Sequence, residues 1–276
     1  MTSDFASQGF GSGRDDIPQR VGVNERGAGH AVIEKLLADR EGLPPRSLLG
    51  RVFGADPLTS ENYPWYKGAL GEIAVGRILE RLGPGWMVLH AVPVGTGASD
   101  VDHVLIGPAG VFTLNTKNHS GQSVWIAGRT LMVSGKKQRH LYNASHEAAR
   151  AAKLLTRGAN ATVEVTGVVV VVAPKSMTVR ERPSEVVVVS DRQLLRWLSD
   201  RPNLLTPRQI AVITAAAMRP GTWHRNPPAV VDPGFLQYEF ARLPALVDSA
   251  RRRRAGWLLA LLVGTPLVLA TLSSYF

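Results

Sequence analysis

Two runs of nearly uninterrupted valine, Thr166 to Ala173 and Glu185 to Ser190, constrain this chain more than any other feature. Branching at Cβ stiffens χ1 and disfavours helix, so both runs read as strands. Neither alternates polar with apolar residues, which implies burial on both faces. Strands of that kind are central or parallel.

The remaining pattern supplies the helices and further strands. A short helix spans His30 to Arg40 and stops before Gly42, Pro44 and Pro45; a turn-rich stretch from Gly54 to Tyr63 follows. Pro64 then suits the first turn of a helix running to about Leu82, closed by Gly83 and Pro84. Strands are expected at Met87 to Val92, Val101 to Ile106 and Val111 to Lys117, the last two forming a hairpin across Gly107-Pro108-Ala109-Gly110. A second hairpin joins Val124 to Ala127 with Thr130 to Val133 through Gly128-Arg129. Tyr142 to Thr156 reads as an Ala-rich helix, Asp191 caps another through Leu198, and Thr206-Pro207 opens one that ends near Met218. The order is α-β-β-β-α-β with additions, an α/β fold with a mixed sheet.

The expected domain plan is a disordered leader over 1–29, an N-terminal helix and turn-rich segment over 30–63, the main domain over 64–218, a linker and basic segment over 219–254, and a tail over 255–276. The leader is rich in Gly, Ser, Asp and Arg and has no apolar run, so it does not read as a secretory signal. Pro220, Pro227, Pro228 and Pro233 with Gly221 and Gly234 suggest the linker. From Trp257 to Phe276 the chain has 20 residues without a charge. At ~1.5 Å per helical residue these reach ~30 Å, the thickness of a bilayer core. With Trp257 and Tyr275 at its ends and Arg251 to Arg254 just before it, the tail reads as a single transmembrane helix whose soluble domain faces the cytoplasm. Pro266 in mid-segment is the feature that favours a buried core helix instead.

Charge and composition narrow the chemistry. The 276 residues carry 32 Lys and Arg against 22 Asp and Glu, a formal net charge of +10, which favours polyanions or anionic lipid as partners. There is no cysteine, which excludes disulfides, thiolate nucleophiles and thiolate metal sites. Any metal must sit on oxygens or imidazoles. No Walker-type phosphate loop, nucleophile elbow or His-Glu-x-x-His helix is present, and no small-molecule cofactor is evident.

One constellation can do chemistry. Wound at ~100° per residue, the helix around Glu72 places Ala69, Val75, Gly76, Leu79 and Leu82 on the side of Glu72, while Lys67, Arg77 and Arg81 lie opposite. A carboxylate on the core side asks for a cation, a hydrogen-bonding partner or a metal; a satisfied buried glutamate is the alternative. On the hairpin, Asp102 and Lys117 lie at the ends away from the turn and can meet. An Asp on one strand, with an acid and a Lys two apart on the next, is an arrangement that binds Mg²⁺ through hard oxygens and lets the ammonium orient or activate water. The chemistry would be phosphodiester hydrolysis.

Here the chain resembles the nuclease-related domain (NERD) family of the PD-(D/E)xK nuclease superfamily. The matching text is Gly68-Ala69-Leu70-Gly71-Glu72, then Asp102-His103-Val104-Leu105-Ile106, then Gly107-Pro108-Ala109-Gly110-Val111-Phe112 leading to Asn115-Thr116-Lys117-Asn118, within about Pro64 to Leu155. The resemblance implies a nuclease-like αβββαβ core. It also implies an active site at Glu72, Asp102, position 115 and Lys117, with Glu72 and Asp102 as ligands of Mg²⁺, or Mn²⁺ in its place. Position 115, where the family carries an acid, is Asn115, and a neutral amide oxygen is a poorer ligand for a hard cation than a carboxylate. The family's Asn-Pro-x-x-Gln step stands here as Asn143-Ala144-Ser145-His146-Glu147, so Glu147 is a source of a replacement carboxylate. Asp100 is another if the strand reaches it, and otherwise a loop residue.

Of the histidines, His103 alternates away from Asp102 and reads as a packed sheet residue, and His119 stands at the strand's end. Lys136, Lys137, Arg139 and His140 could grip phosphates or form a solvated turn, with Trp125 and Tyr142 near enough for base stacking. Three readings follow: a membrane-anchored, Mg²⁺-dependent nuclease acting on DNA; a nuclease-derived module that binds nucleic acid or protein at the membrane without cutting; and a membrane-tethered scaffold.

Overall fold

The structure is a computed structural model describing residues 22–42, 44, 46–97, 99–226 and 231–273, with side chains up to 266. The elements in chain order are α1 (His30–Glu41), α2 (Leu48–Phe53), α3 (Asn62–Leu79), β1 (Met87–Pro93), β2 (Asp100–Gly107), β3 (Gly110–Asn118), β4 (Ser123–Ala127), β5 (Thr130–Val133), β6 (Lys136–Gln138), α4 (His140–Ala159), β7 (Val165–Val172), β8 (Ser176–Glu181), β9 (Val186–Ser190), α5 (Asp191–Ser199), α6 (Pro207–Ala217), α7 (Pro220–Trp223) and α8 (Pro233–Ser273).

The main sheet has the order β1-β2-β3-β7-β9. Its first three strands are an antiparallel meander, β7 adds to β3 in parallel and β9 to β7, so the sheet is mixed as expected. Both valine runs lie on the parallel side. Val168 to Val171 are fully buried because alternate residues enter different cores. Val168 and Val170 join Leu105, Phe112 and Leu194 on one face, and Val169 and Val171 join Ile126, Leu131 and Ala144 on the other. Helices α3 and α5 cover the first face, and α4 crosses the second with α6 packed on it.

A smaller sheet, β6-β5-β4-β8, stands beside it. The Gly128-Arg129 hairpin is present, with Ala127 opposite Thr130. Strand β8 (Ser-Met-Thr-Val-Arg-Glu) has no counterpart in the sequence reading. Almost all of its side chains are exposed, so it is held by the backbone ladder to β4 and leaves little apolar signature.

Several boundaries differ from expectation. Helix α3 starts at Asn62 and places Pro64 in its first turn, and its last residue is Leu79. Residues 1–21 of the expected disordered leader lie outside the described residues, but 22–29 pack. Val23 is in the core, and buried Arg26 donates from Nη1 to the Ala91 carbonyl at 3.1 Å. Ala91 has a φ of 45°, the left-handed region, between the paired rungs His90–His103 and Val92–Val101.

The expected linker is also tied down where it is described. Trp223 is 1% exposed, with its indole N–H bonded to the Ala217 carbonyl at 2.7 Å, and the Gly95 amide donates to the Trp223 carbonyl at 3.0 Å. Pro233 begins α8, which passes through Pro244 and continues past the arginine run, with Leu236, Phe240, Leu243 and Val247 packed against Ile33, Leu36 and Tyr66. Residues 227–230 of that linker lie outside the described residues.

The expected transmembrane span falls on the same helix and is not supported there. Among the described residues no helix is long and apolar enough to cross a membrane. Along α8 everything up to Arg254 is mixed in polarity, and the side chains of residues 267–276, half of the expected span, lie outside the described residues. Residues 274–276, including Tyr275 of the expected aromatic belt, lie outside the described residues.

Candidate active site

The site forms where β2 begins and β3 ends, between α3 and α4. Strand β2 starts at Asp100, so Asp100 and Asp102 both lie on it. The register Ile106–Val111 to His103–Leu114 carries Asp102 towards the end of β3 that holds Asn115 and Lys117. The Thr116 amide donates to Asp102 Oδ2 at 2.6 Å, which fixes that carboxylate across the strand pair.

Glu72 arrives from α3. The helix can approach because Gly71 has no side chain: a Cβ there would stand 3.1 Å from the Asn118 Cβ and 3.4 Å from the Thr116 Cγ2. Asn118 closes the contact from the other side by donating to the Lys67 carbonyl at 2.8 Å. Glu72 is 6% exposed, and its Oε2 has no hydrogen-bond partner. Glu147 arrives from α4 on the opposite face of the sheet. Asn115 Nδ2 donates to both of its carboxylate oxygens, at 2.7 and 2.8 Å, while Asn115 Oδ1 is buried without a partner.

Four carboxyl groups and one ammonium therefore meet. Burial raises Glu72 well above the usual carboxylate range, and the charges of Asp102 and Asp100 raise it further against the pull of Lys117 and of the Gly29 amide. Asp100 is pushed up to about 7 by burial and by Asp102, with Arg26 opposing. Burial raises Asp102, while Lys117 and the Thr116 amide hold it down. Glu147 reaches about 7 through burial, opposed first by its bond to Asn115. A cluster of acids that drive one another towards the neutral form is one that a cation would relieve.

Glu72, Asp102 and Lys117 line one cleft of about 1280 Å³ together with Arg26, Lys67 and His119. All four sequence-derived positions, Glu72, Asp102, Asn115 and Lys117, thus lie in one locality, with Asn115 and Glu147 beside the cleft lining. Asp100, which sequence left between strand and loop, belongs to the same cluster. Sequence reading missed Arg26 and Gly29, because that segment has no periodicity and resembles the residues before it. His103 is fully buried, with its Nδ1 2.8 Å from His90 Nδ1. His119 and His140 place their Nε2 atoms 3.0 Å apart at the cleft's edge.

Among the described residues no three His, Cys, Asp or Glu side chains converge as a ready metal cage. The donors present are hard oxygens, and the unpartnered, buried Glu72 Oε2 is the kind of atom that a hard cation satisfies. Mg²⁺ needs only one or two carboxylates when water and substrate phosphate fill its other positions, so Glu72 and Asp102 fit it.

Residues 67–172 match the family model of the nuclease-related domain. The matched family belongs to the PD-(D/E)xK-like nuclease superfamily. The domain's span takes in Glu72, Asp102, Asn115, Lys117 and Glu147. An uncharacterized protein of Bacillus anthracis is 36% identical over 85 residues, which is 29% of this chain and 39% of that protein. The shared segment is thus well under half the length of either protein. No solved structure matches.

Proposed function

We propose that this chain is a metal-dependent nuclease that hydrolyses DNA phosphodiesters. The observation that carries the reading is the convergence of Glu72 from α3, Asp102 from β2 and Lys117 from β3 on one cleft, inside the span of a nuclease-related domain. Glu72 and Asp102 would hold Mg²⁺, or Mn²⁺ in its place, which when bound neutralises phosphate charge and lowers the pKa of water. Asp102 is oriented by the Thr116 amide, and Lys117 supplies a fixed positive charge where the attacked phosphate gains negative charge.

Nucleic-acid contact is supported beside the site. On α4, exposed Tyr142 stacks on His146 with centroids 6.3 Å apart, and the Arg139 guanidinium lies 4.9 Å from the Tyr142 ring centre. Exposed Lys136 and Lys137 precede it on β6. Together they offer a stacking platform with phosphate-binding charge. Attachment of the chain to a membrane, on its cytoplasmic face, is part of the proposal and is supported by Arg251 to Arg254 followed by exposed Leu258, Leu259, Leu261 and Leu262.

Asn115 favours a second reading, a site that binds DNA without cutting it. One experiment separates them: the full chain incubated with linear DNA and Mg²⁺, Mn²⁺ or EDTA, beside Lys117→Ala. Cutting that needs the metal and disappears in the variant supports the nuclease. DNA retention at low salt with no cutting under any metal supports the binding module and sinks the nuclease.

A further inference from the structure

The contact between Asn115 and Glu147 carries more than a missing acid. Where the resemblance leads one to expect an acid at 115 and Gln at 147, the chain has an amide at 115 and an acid at 147, and the two side chains touch. We infer that Asn115 and Glu147 act as one composite acid: Asn115 Oδ1 supplies the oxygen facing a divalent cation, and Glu147 supplies the charge from behind it. The inference rests on the metal-dependent reading above.

Its grounds are geometric. Asn115 Nδ2 is bonded to both oxygens of Glu147, at 2.7 and 2.8 Å, so the carboxylate is committed to the amide. The opposite end of that amide, Oδ1, is unpartnered in a residue only 4% exposed. A carboxylate that accepts from an amide N–H draws positive charge to that end and leaves the oxygen more negative, as a carboxylate bonded behind a metal-bound imidazole does for its ring. Glu147 lies on α4 between residues that pack on the sheet. Ala144 and Ala148, one turn earlier and the next residue, are buried against β7. Asn115 is the ligand in this pair and Glu147 the positioning and charging residue.

The test reads metal affinity, not cleavage. Full-length protein is titrated with Mn²⁺ in a calorimeter, for the native chain, Glu147→Gln and the double variant Asn115→Asp with Glu147→Gln. Both changes are nearly isosteric, and the double variant returns the acid to 115 with an amide still bonded behind it. Glu147→Gln should weaken Mn²⁺ binding by about 10- to 100-fold, and the double variant should recover most of the loss. Unchanged affinity in Glu147→Gln, no recovery in the double variant, or no Mn²⁺ binding by the native chain overturns the inference. Glu147-dependent affinity in a chain that cuts no DNA would sink the nuclease reading and leave the composite acid standing.

A separate observation concerns α2. This short helix docks on α8 through the Phe53 and Trp257 rings, 5.1 Å apart, and the Trp257 indole N–H donates to the Val52 carbonyl at 3.0 Å. Yet its own apolar side chains point away from the protein: Leu48 is 79% and Leu49 70% exposed. Arg46 and Arg51 flank the pair in sequence, and the arginine run of α8 reaches this corner, where Arg253 donates to the Arg51 carbonyl at 2.7 Å. The nearby acid Asp56 is already paired with Arg254 at 3.0 Å. An exposed leucine pair on a helix tied to an arginine run fits the surface of a bilayer that contains anionic phospholipid.

We propose that α2 is a second membrane contact, seated in the headgroup region beside α8; this rests on the membrane attachment proposed above. The chain has no cysteine, so Leu49→Cys takes a single environment-sensitive fluorophore. Emission should shift to the blue and rise about twofold or more on vesicles of phosphatidylcholine with phosphatidylserine, and much less on phosphatidylcholine alone. A label at Arg196→Cys on α5 should not respond. A silent Leu49 label on a chain that floats with the vesicles overturns the α2 contact and leaves attachment through α8 intact. Equal responses at both positions overturn it as well.

Discussion

The Thr116 amide lies 2.6 Å from Asp102 Oδ2, and the next residue along β3 is Lys117. One peptide unit thus fixes the aspartate and delivers the ammonium beside it. Lys117 is the charge that lowers the proton affinity of Glu72, Asp100, Asp102 and Glu147 alike. Lys117→Ala should reduce DNA cleavage by about 100-fold or more, the usual cost of removing one group that stabilises developing charge. Initial rates on labelled DNA measure this, and a loss under about threefold would remove Lys117 from the chemistry.

Asp100 makes the native state sensitive to pH. Its carboxyl is pushed up to about 7, so between its ordinary value and 7 the folded chain binds a proton that the unfolded chain releases. Stability from this group is therefore lost as pH rises through that window. Asp100→Asn should stabilise the metal-free protein by about 2 kcal/mol at pH 8 and by little at pH 5. Chemical denaturation in EDTA at both values is the measurement; an equal gain at both would mean that packing, not titration, is responsible.

Two histidines act in the opposite direction. Burial and Arg26 hold His30 down to about 4, and burial with Lys117 holds His140 at about 4. Below the ordinary histidine value near 6.5 the unfolded chain takes up these protons first, so stability falls as pH drops from there towards 4. Replacing His140 by Gln should flatten this acid limb in a series of thermal melts. An unchanged slope between pH 6.5 and 4 would count against it.

Gly167 is the packing counterpart of the site. A Cβ on this β7 residue would lie 2.7 Å from the Ala144 carbonyl oxygen of α4 and 3.2 Å from the Ala148 Cβ. Gly167→Ala must therefore push α4 away from the sheet and carry Glu147 with it, at a cost of about 1–3 kcal/mol. Thermal unfolding should show the loss, and Mn²⁺ affinity should fall with it. Native-like stability and affinity together would show that α4 shifts freely.

How far the sequence reveals these arrangements depends on what each residue contributes to its element. The valine runs are legible because burial on both faces of a central strand leaves no room for polar residues. Glu72 is legible because it interrupts an apolar helix face. Strand β8 is not, since its residues are chosen by solvent and only its backbone is committed. The path of α8 is hidden by Pro244, which reads as a helix stop, yet Leu236, Phe240, Leu243 and Val247 still bury a stripe at helical spacing. Arg26 and Gly29 are the hardest: each acts through a single long-range contact, and no local pattern records such a contact.

The change of direction at β3 bears on how the protein comes to be folded. Along one edge β3 pairs with its immediate predecessor, Val111 opposite Ile106, and along the other the same Val111 meets Val165. The first contact closes a loop of a few residues, whereas the second waits until β4 to β6 and all of α4 have been laid down. Nucleation of the meander is therefore fast, and docking of β7 is the slow, entropy-limited step. Asn115 and Lys117 lie on the strand shared by both events. A chain trapped before β7 docks would already hold Asp102 beside Lys117 on the finished hairpin, yet α4 would lack the strand it packs on and Glu147 its fixed place behind Asn115.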